Sequence, residues 1–338
     1  MMRTRPLGRG GPEITPVGLG TWAMGGPWAF GWGPQSDEAS IAAILRAVER
    51  GVRWIDTAAV YGVGHSETVV GRALARIAPA DRPLVFTKGS RIVDPGDPSS
   101  EPTDDLRPET IRGQVEDSLR RLGVERIDLY QFHWPDRATG TPIEDSWGEL
   151  GRLADEGLVR WVGVCNFDVA LLARAEAIRH VDSLQPPFSL LRRDAGGEAI
   201  PWAREHATGV IVYSPMQSGI LTDTFSPARV AAMAPDDWRR RSPFFAEPAL
   251  GRALVLREAL RPIAARHGVP VSAVAVAWTL AWPGVTGAIV GARDPDQVDG
   301  WAPAMHLALD DGDLAEIAAA VERTGAGSGP VRPAGEVA

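Results

Sequence analysis

The chain repeats one pattern along most of its length: a short apolar run rich in valine and isoleucine is followed by a longer amphipathic segment. Eight apolar runs begin near Val17, Val52, Leu84, Ile127, Val159, Asp182, Gly209 and Val285. Helical periodicity is seen between them at 37–50, 107–122, 144–156, 168–178 and 197–207, and again at 252–267 and 271–282. This alternation is typical of βαβ units and predicts an α/β protein with a parallel sheet.

Eight strands with intervening helices and no linker predict one closed (β/α)8 barrel over residues 1–338. A doubly wound sheet is the alternative, but the Gly-x-Gly-x-x-Gly fingerprint expected after its first strand is missing. Asp37 and Asp168 are expected to be helix N-caps. Residues 325–338, rich in Gly, Pro and Ala, are expected to form a poorly ordered tail.

Two long turn-rich stretches, 91–107 and 217–248, interrupt the alternation. In a barrel both would emerge at the carboxyl ends of the strands, where long loops build the active site. Each is a candidate pocket wall, and a mobile surface loop is the equally open alternative.

Composition limits the classes of partner. The net charge of -8 gives no overall attraction to nucleic acid or to an anionic membrane. Cys165 is the sole cysteine, so neither an intrachain disulfide nor a cysteine-based metal cluster is expected, and a reducing cytoplasm fits best. No apolar stretch of signal-peptide length follows the basic N-terminus, and no run approaches the roughly 18 apolar residues of a membrane span. Nothing in the sequence indicates an oligomeric partner.

Four polar residues lie at or just beyond the ends of three neighbouring strand-like runs: Asp56, Tyr61, Lys88 and His133. Each alone has an ordinary structural explanation, such as a turn cap or a packing residue. Because active-site groups of a barrel collect where its strands end, we expect the four side chains to meet.

Together these groups suit proton donation. A tyrosine beside a buried lysine can act as a general acid because the ammonium stabilises the phenolate and lowers a pKa of roughly 10. Asp56 would be the counter-charge that a buried Lys88 needs, and a neutral His133 would orient a substrate oxygen. Carbonyl reduction fits this set without a metal, and a nicotinamide is the natural hydride source in a chain with no flavin fingerprint.

Several motifs carry a resemblance to the aldo-keto reductase superfamily from about Val17 to about Ala320. They are Gly18-Leu19-Gly20-Thr21-Trp22, Asp56-Thr57-Ala58-Ala59-Val60-Tyr61-Gly62, Ser118-Leu119-Arg120-Arg121-Leu122-Gly123, Ile127-Asp128-Leu129-Tyr130-Gln131-Phe132-His133, Gly163-Val164-Cys165-Asn166, Tyr213-Ser214-Pro215-Met216 and Gly291-Ala292-Arg293. The resemblance implies a (β/α)8 barrel with an N-terminal hairpin cap and long loops at its carboxyl-end face. It also implies NADP(H) bound without a Rossmann motif, and a catalytic tetrad of Asp56, Tyr61, Lys88 and His133.

The resemblance further implies which residues contact the cofactor. Asn166 and Gln185 match the residues that hold the nicotinamide carboxamide, Tyr213 matches the one that stacks on the ring, and Arg293 would meet the 2'-phosphate and favour NADP over NAD. Cys165 stands where the family usually has Ser. The cofactor-binding residues implied in full are Gly20, Thr21, Trp22, Asp56, Asn166, Gln185, Tyr213, Ser214, Pro215, Met216, Ser218, Gly219, Leu221, Gly291, Ala292, Arg293 and Gln297.

The predicted activity is NADPH-dependent, reversible reduction of aldehydes and ketones to alcohols by a cytoplasmic enzyme. An aromatic substrate pocket is expected from Trp22, Trp28, Tyr61, His133 and Trp134, with packing of the same tryptophans as the alternative. Two other functions stay open: a nicotinamide-binding regulatory or sensor protein with little turnover, and an isomerase or lyase that uses Lys88 as a Schiff base.

Overall fold

The computed structural model describes residues 3–235 and 237–333, and its centre is a closed barrel of eight parallel strands. In chain order the strands are β1 (Val17–Gly20), β2 (Trp54–Asp56), β3 (Leu84–Gly89), β4 (Ile127–Phe132), β5 (Val159–Cys165), β6 (Ser183–Gln185), β7 (Gly209–Tyr213) and β8 (Gly287–Gly291). Each strand pairs with the next, and β8 returns to pair with β1, with Ala288 opposite Val17. The predicted (β/α)8 barrel is confirmed, and an open doubly wound sheet is excluded because this sheet has no edge.

Helices cover the outside of the barrel. They are α1 (Asp37–Glu49), α2 (His65–Leu74), α3 (Pro108–Leu122), α4 (Ile143–Asp155), α5 (Val169–Glu176), α6 (Ala199–Glu205), α7 (Pro227–Ala231), α8 (Ala249–Ala259), α9 (Arg261–His267), α10 (Val271–Ala281), α11 (Pro295–Trp301) and α12 (Asp311–Thr324). The periodicity of the sequence did not predict α2, α7, α11 and α12.

Three helix boundaries test the predictions directly. Asp168 is the N-cap of α5, where its carboxylate accepts a hydrogen bond from the Leu171 amide at 2.8 Å. The N-cap prediction for Asp37 is wrong, since the Ser36 hydroxyl caps α1 and Asp37 is its first helical residue. The single helix predicted at 252–267 is two helices, because α8 ends at Ala259 and α9 restarts at Arg261.

The barrel interior is filled by its own apolar cluster. Trp54 lies at its centre with no exposed surface, and its indole nitrogen donates to the Thr15 carbonyl at 2.9 Å. A Cβ placed on Gly18 would come within 2.3 Å of this indole, so the absence of a side chain there makes room for the ring. The remaining cluster members are Leu7, Ile14, Phe86, Leu129, Ile211 and Ile289.

An antiparallel hairpin closes the amino-terminal end of the barrel, as the fold class predicted. Its strands Arg5–Pro6 and Glu13–Ile14 pair with Arg5 opposite Ile14. Leu7 and Ile14 extend from it into the interior cluster. The barrel is thus sealed at this end, and its opening lies at the carboxyl ends of the strands.

The start of the predicted disordered tail is held against the barrel, which differs from the sequence-based expectation. The Arg193 guanidinium donates to the carbonyls of Ala326 at 3.1 Å and Pro330 at 3.1 Å, and Ala326 is buried. These contacts are made by the backbone carbonyls of Ala326 and Pro330, so the side chains in this segment do not indicate them. The remainder of the predicted tail, 334–338, lies outside the described residues.

Within the described part of the chain, no single helix is both long and apolar enough to cross a membrane. Only the pair formed by Ala249–His267 and Val271–Ala281 passes by length and composition, and it is bent by 92°.

The fit of Trp54 against the β1 backbone generates a stability prediction. Gly18→Ala should destabilise the fold by about 1–3 kcal/mol, because the new methyl group overpacks the rigid indole. Gly113→Ala is the matched control, since this glycine is exposed in α3 with nothing within 4 Å of an added Cβ. Urea unfolding should show a lower midpoint for the first variant and an equal or higher one for the second. Equal midpoints for Gly18→Ala and the wild type would contradict the packing account.

Candidate active site

A buried ion pair lies at the centre of the site. Asp56 is the last residue of β2 and Lys88 lies near the end of β3, so both side chains emerge at the open end of the barrel. Lys88 Nζ lies 2.5 Å from Asp56 Oδ1 and donates to the Thr57 carbonyl at 2.9 Å. Gln185 at the end of β6 donates to Asp56 Oδ2 at 2.9 Å. Side chains from three strand ends therefore meet at one buried ion pair.

The surroundings of the pair keep the ammonium charged. Burial lowers the pKa of Lys88, but the attraction and hydrogen bond of Asp56, together with the smaller effects of Tyr61 and Cys165, outweigh it, and the net pKa of Lys88 is raised. Lys88 has no exposed surface and does not reach the cavity wall. A Schiff base requires an accessible, neutral amine, so this geometry argues against Lys88 as a covalent nucleophile.

Tyr61 joins the pair from the turn after β2. Its hydroxyl lies 3.4 Å from Lys88 Nζ, and the half-buried ring faces the cavity. Burial raises the pKa of Tyr61 to about 12, Lys88 opposes that rise, and Asp56 adds to it. Lys88 thus lowers the pKa of Tyr61 as expected, but burial outweighs the effect of the ammonium. Tyr61 is consequently a protonated hydrogen-bond donor at neutral pH.

His133 directly follows β4 and lies beside Tyr61. The two rings meet edge to face, with centroids 5.6 Å apart. Burial lowers the pKa of His133 well below 6.5, and the positive charges of Lys88 and Arg91 lower it further. The imidazole is neutral at physiological pH, and its Nδ1 is buried with no partner among the described residues. A neutral ring beside the phenol can orient a substrate oxygen.

Two amides and an aromatic ring line the opposite wall. Tyr213 donates to Asn166 Oδ1 at 2.9 Å, and Asn166 Nδ2 donates to the His133 carbonyl at 3.0 Å. Cys165 lies between the amides, 3.2 Å from Asn166 Nδ2 and 3.8 Å from Gln185 Oε1. Asn166 Oδ1 and both ends of the Gln185 amide keep hydrogen-bonding capacity beyond these bonds, and both residues line the cavity. This donor and acceptor set beside the Tyr213 ring fits a planar carboxamide such as that of nicotinamide.

The backbone beyond β5 and β7 adopts left-handed conformations that non-glycine residues rarely take. The φ angles are 63° at Asn166, 58° at Ser214, 46° at Gln217 and 52° at Ser218. Asn166, Ser214 and Ser218 line the cavity. Such conformations persist only where the surrounding structure enforces them, and they concentrate at ligand sites. The turn at 214–219 presents small side chains and backbone amides, a surface suited to phosphate oxygens.

Arg293 lies at the far end of the same cavity, just after β8. Its Nε donates to Gln35 Oε1 at 2.7 Å and its Nη2 donates to the Pro34 carbonyl at 2.5 Å. No protein acceptor among the described residues bonds to Nη1. One guanidinium nitrogen is thus free of protein partners at a cavity wall.

One continuous cavity of about 1040 Å³ connects all these features. It is lined by almost every predicted site residue, including all five of the predicted substrate pocket: Gly20, Trp22, Trp28, Asp56, Tyr61, His133, Trp134, Asn166, Gln185, Tyr213, Ser214, Pro215, Met216, Ser218, Gly219, Gly291, Ala292, Arg293 and Gln297. Three residues do not reach it. Lys88 lies behind Asp56, the Thr21 hydroxyl bonds to Asp56 O at 3.2 Å, and Leu221 belongs to the apolar core. Thr21 and Leu221 therefore lie behind the cavity wall.

The sequence did not identify several further wall residues. Trp238 and Arg239 belong to the long loop after β7. The Trp238 indole stacks on Trp22 with ring centroids 5.1 Å apart, and Arg239, which lines the cavity, lies over the Trp32 ring at 4.4 Å. Arg91 reaches the cavity from the loop after β3. Both long stretches thus contribute pocket walls, but no spacing rule indicated which of their residues would do so.

Comparison with known proteins agrees with this architecture. The family model described as "Aldo/keto reductase family" matches residues 16–322. The chain is 32% identical over 315 residues to the aldo-keto reductase YhdN of Bacillus subtilis, covering 93% of this chain and 92% of that protein. It is 33% identical over 334 residues to the NADH-specific methylglyoxal reductase of Escherichia coli, covering 95% and 100%.

A solved structure gives the same result in three dimensions. The glycerol dehydrogenase from Gluconobacter oxydans superposes with a TM-score of 0.86 at 35% identity, covering 99% of this chain and 98% of that one.

The neutral state of His133 predicts a pH dependence of stability. Because its folded-state pKa lies below 6.5, the unfolded chain binds the proton more readily. The stabilising contribution is complete above about pH 6.5 and falls as the pH drops toward the folded-state pKa, by at most about 1.4 kcal/mol per pH unit. The unfolding free energy of wild type relative to His133→Gln should therefore decrease between pH 7.5 and 5.5.

The same substitution at the exposed His306 controls for the loss of one imidazole. Denaturant unfolding at each pH measures the difference. A gap between wild type and His133→Gln that stays constant over this range would contradict the buried neutral imidazole.

Proposed function

The chain belongs to the aldo/keto reductase family, whose members carry out nicotinamide-dependent carbonyl reduction, and from that premise we propose that it is an NADPH-dependent reductase of small aldehydes and ketones. The observation that carries the proposal is the contact of Tyr61 with the Lys88 and Asp56 pair at the wall of the cavity. The substrate is a small carbonyl compound, or the corresponding alcohol in the reverse direction. We place the reaction in the cytoplasm, which suits the single buried cysteine.

Each residue of the tetrad has a distinct part in the proposed reaction. Tyr61 donates its hydroxyl proton to the substrate oxygen as that oxygen gains negative charge. Lys88 stays positively charged and stabilises the phenolate that remains, and Asp56 keeps Lys88 charged and in place. His133 contacts the same substrate oxygen as a neutral ring and fixes its direction. NADPH, when bound, supplies the hydride.

Cofactor contacts are proposed for the rest of the cavity. Asn166 and Gln185 would hold the carboxamide, and the Tyr213 ring would support the nicotinamide face. The 214–219 turn would bind the pyrophosphate, and Arg293 would bind the 2'-phosphate through its free Nη1. The donor set of each region matches its assigned group in charge and hydrogen-bonding type. One relative is named NADH-specific, so the Arg293 assignment is what favours NADPH here.

Removing the proposed proton donor tests the reaction. Tyr61→Phe should lower kcat for a reactive aldehyde by about 10²- to 10⁴-fold, the usual contribution of a general acid, while NADPH binding changes little. Tyr130→Phe is the matched control, because its hydroxyl is buried with no partner among the described residues and lies outside the cavity. Steady-state turnover and NADPH fluorescence titration provide the two readouts. Full activity of Tyr61→Phe would remove tyrosine from the mechanism.

The cofactor preference is tested by comparing two nucleotides that differ only in the 2'-phosphate. Arg293→Ala should weaken NADPH binding by about 10- to 100-fold, the worth of a charge-assisted hydrogen bond, and leave NADH binding nearly unchanged. Fluorescence titration of both nucleotides measures the dissociation constants directly. Equal effects on NADPH and NADH would mean that Arg293 supports the loop at Pro34 and Gln35 rather than the phosphate.

A further inference from the structure

Arg91 brings a positive charge into the substrate end of the cavity. It is the first residue of a short antiparallel pairing, in which Arg91 lies opposite Asp104. Its side chain is 16% exposed, and it lines the cavity together with Tyr61, His133 and Trp134. None of the four proposed catalytic roles uses this guanidinium.

The hydrogen bonds of Arg91 within the protein are incomplete. Nε lies 3.2 Å from Asp104 Oδ1 but is not directed at it, so it has no hydrogen-bond partner among the described residues. Nη2 donates to the Pro102 carbonyl at 3.3 Å, and Nη1 has no acceptor in the described part of the chain. A buried guanidinium normally has its donors satisfied, because each unpaired donor in a dry site costs free energy. Because Nε has almost no accessible surface, Nη1 is the donor left over for a group in the cavity.

The charges around Arg91 do not cancel. Arg137 also binds Asp104, at 2.7 Å, so two guanidinium groups share one buried carboxylate. Both stack on the same indole, with Arg91 at 5.4 Å and Arg137 at 4.6 Å from the Trp134 ring centre. Nearby Asp105 is paired with Arg107 instead. The cluster formed by these two arginines, Asp104 and Trp134 therefore carries a net positive charge next to the cavity, and the Glu101 carboxylate that also acts on Arg91 is exposed to solvent, where screening weakens it.

We infer that Arg91 selects carbonyl substrates that bear a carboxylate group, by binding that carboxylate while the carbonyl oxygen contacts Tyr61 and His133. This inference rests on the proposed carbonyl reduction and adds the substrate class to it. A carboxylate supplies the acceptor that Nη1 lacks, and a guanidinium binds it through a charge-assisted hydrogen bond. Burial lowers the pKa of Arg91, because the buried guanidinium is poorly solvated. An anionic substrate group would offset this loss of solvation.

The test compares carboxylated aldehydes with neutral aldehydes of nearly the same shape. The pairs are 3- and 4-carboxybenzaldehyde against 3- and 4-nitrobenzaldehyde, each with saturating NADPH. In the wild type, kcat/KM should favour at least one carboxyl compound over its nitro partner. Arg91→Gln should lower that ratio by about 10- to 100-fold, the expected worth of a hydrogen bond between charged groups, and Arg91→Lys should restore part of it.

Arg137→Gln is the matched control. Arg137 shares Asp104 and Trp134 with Arg91 but is 54% exposed and does not line the cavity, so its loss should lower the ratio far less than the loss of Arg91 does. Arg91→Gln should still fold, because Asp104 keeps Arg137 as its partner. A ratio that is the same in wild type and Arg91→Gln, or that falls equally in Arg137→Gln, would overturn the inference.

A binding measurement separates this inference from the proposed reaction. Quenching of tryptophan fluorescence by 4-(hydroxymethyl)benzoate reports carboxylate binding without turnover. Binding that weakens about 10-fold or more in Arg91→Gln, in a protein that reduces no aldehyde, would retain the carboxylate site and reject the reductase. Aldehyde reduction together with carboxylate binding that is independent of Arg91 would retain the reductase and reject the site.

Discussion

The ion pair between Lys88 and Asp56 is the interaction on which the rest of the site depends. Both side chains are almost completely buried, and removing each charge from water costs several kcal/mol. The 2.5 Å contact, the hydrogen bond to the Thr57 carbonyl and the hydrogen bond from the Gln185 side-chain amide offset that cost. Because the partners come from β2, β3 and β6, the pair can form only when these strand ends are correctly placed. The position of the Lys88 ammonium beside Tyr61 therefore depends on the closed barrel.

Much of this arrangement follows from the sequence because the strands of a barrel both form its buried sheet and place the site residues at their carboxyl ends. Strands that are buried on both faces are apolar along nearly their whole length, so runs such as the one ending at Lys88 can be recognised as strands in the sequence. Their carboxyl ends converge, so polar residues such as Asp56 and His133 at those ends can be assigned to one site from their positions along the chain alone. The helix α2 escaped prediction because its N-cap is the left-handed Gly64, which lacks the side-chain signal of a Ser or Asp cap.

Other properties depend on the folded environment and could not be predicted from local patterns. The pKa of Tyr61 reflects a balance between burial and Lys88, and the extent of burial is set by residues far away in the chain. Arg91 reaches the cavity because a two-residue pairing turns the loop after β3 inward. Trp238 covers Trp22 from a loop over 200 residues later in the chain. Such long-range contacts carry no periodicity from which they could be predicted.

The open end of the barrel holds more non-glycine residues in left-handed backbone conformations than the closed end, where Ala207 is one. At the open end Asn166, Ser214, Gln217 and Ser218 hold left-handed backbone conformations, each costing on the order of 1–3 kcal/mol. At the closed end the interior cluster around Trp54, which includes Leu7 and Ile14 from the hairpin, is apolar and buried, and burying one large side chain contributes about 1.5–3 kcal/mol. The closed end can therefore stabilise the barrel while the open end remains strained. Loop residues at the open end, such as Arg91, line the cavity without belonging to the strands that hold Asp56 and Lys88 together.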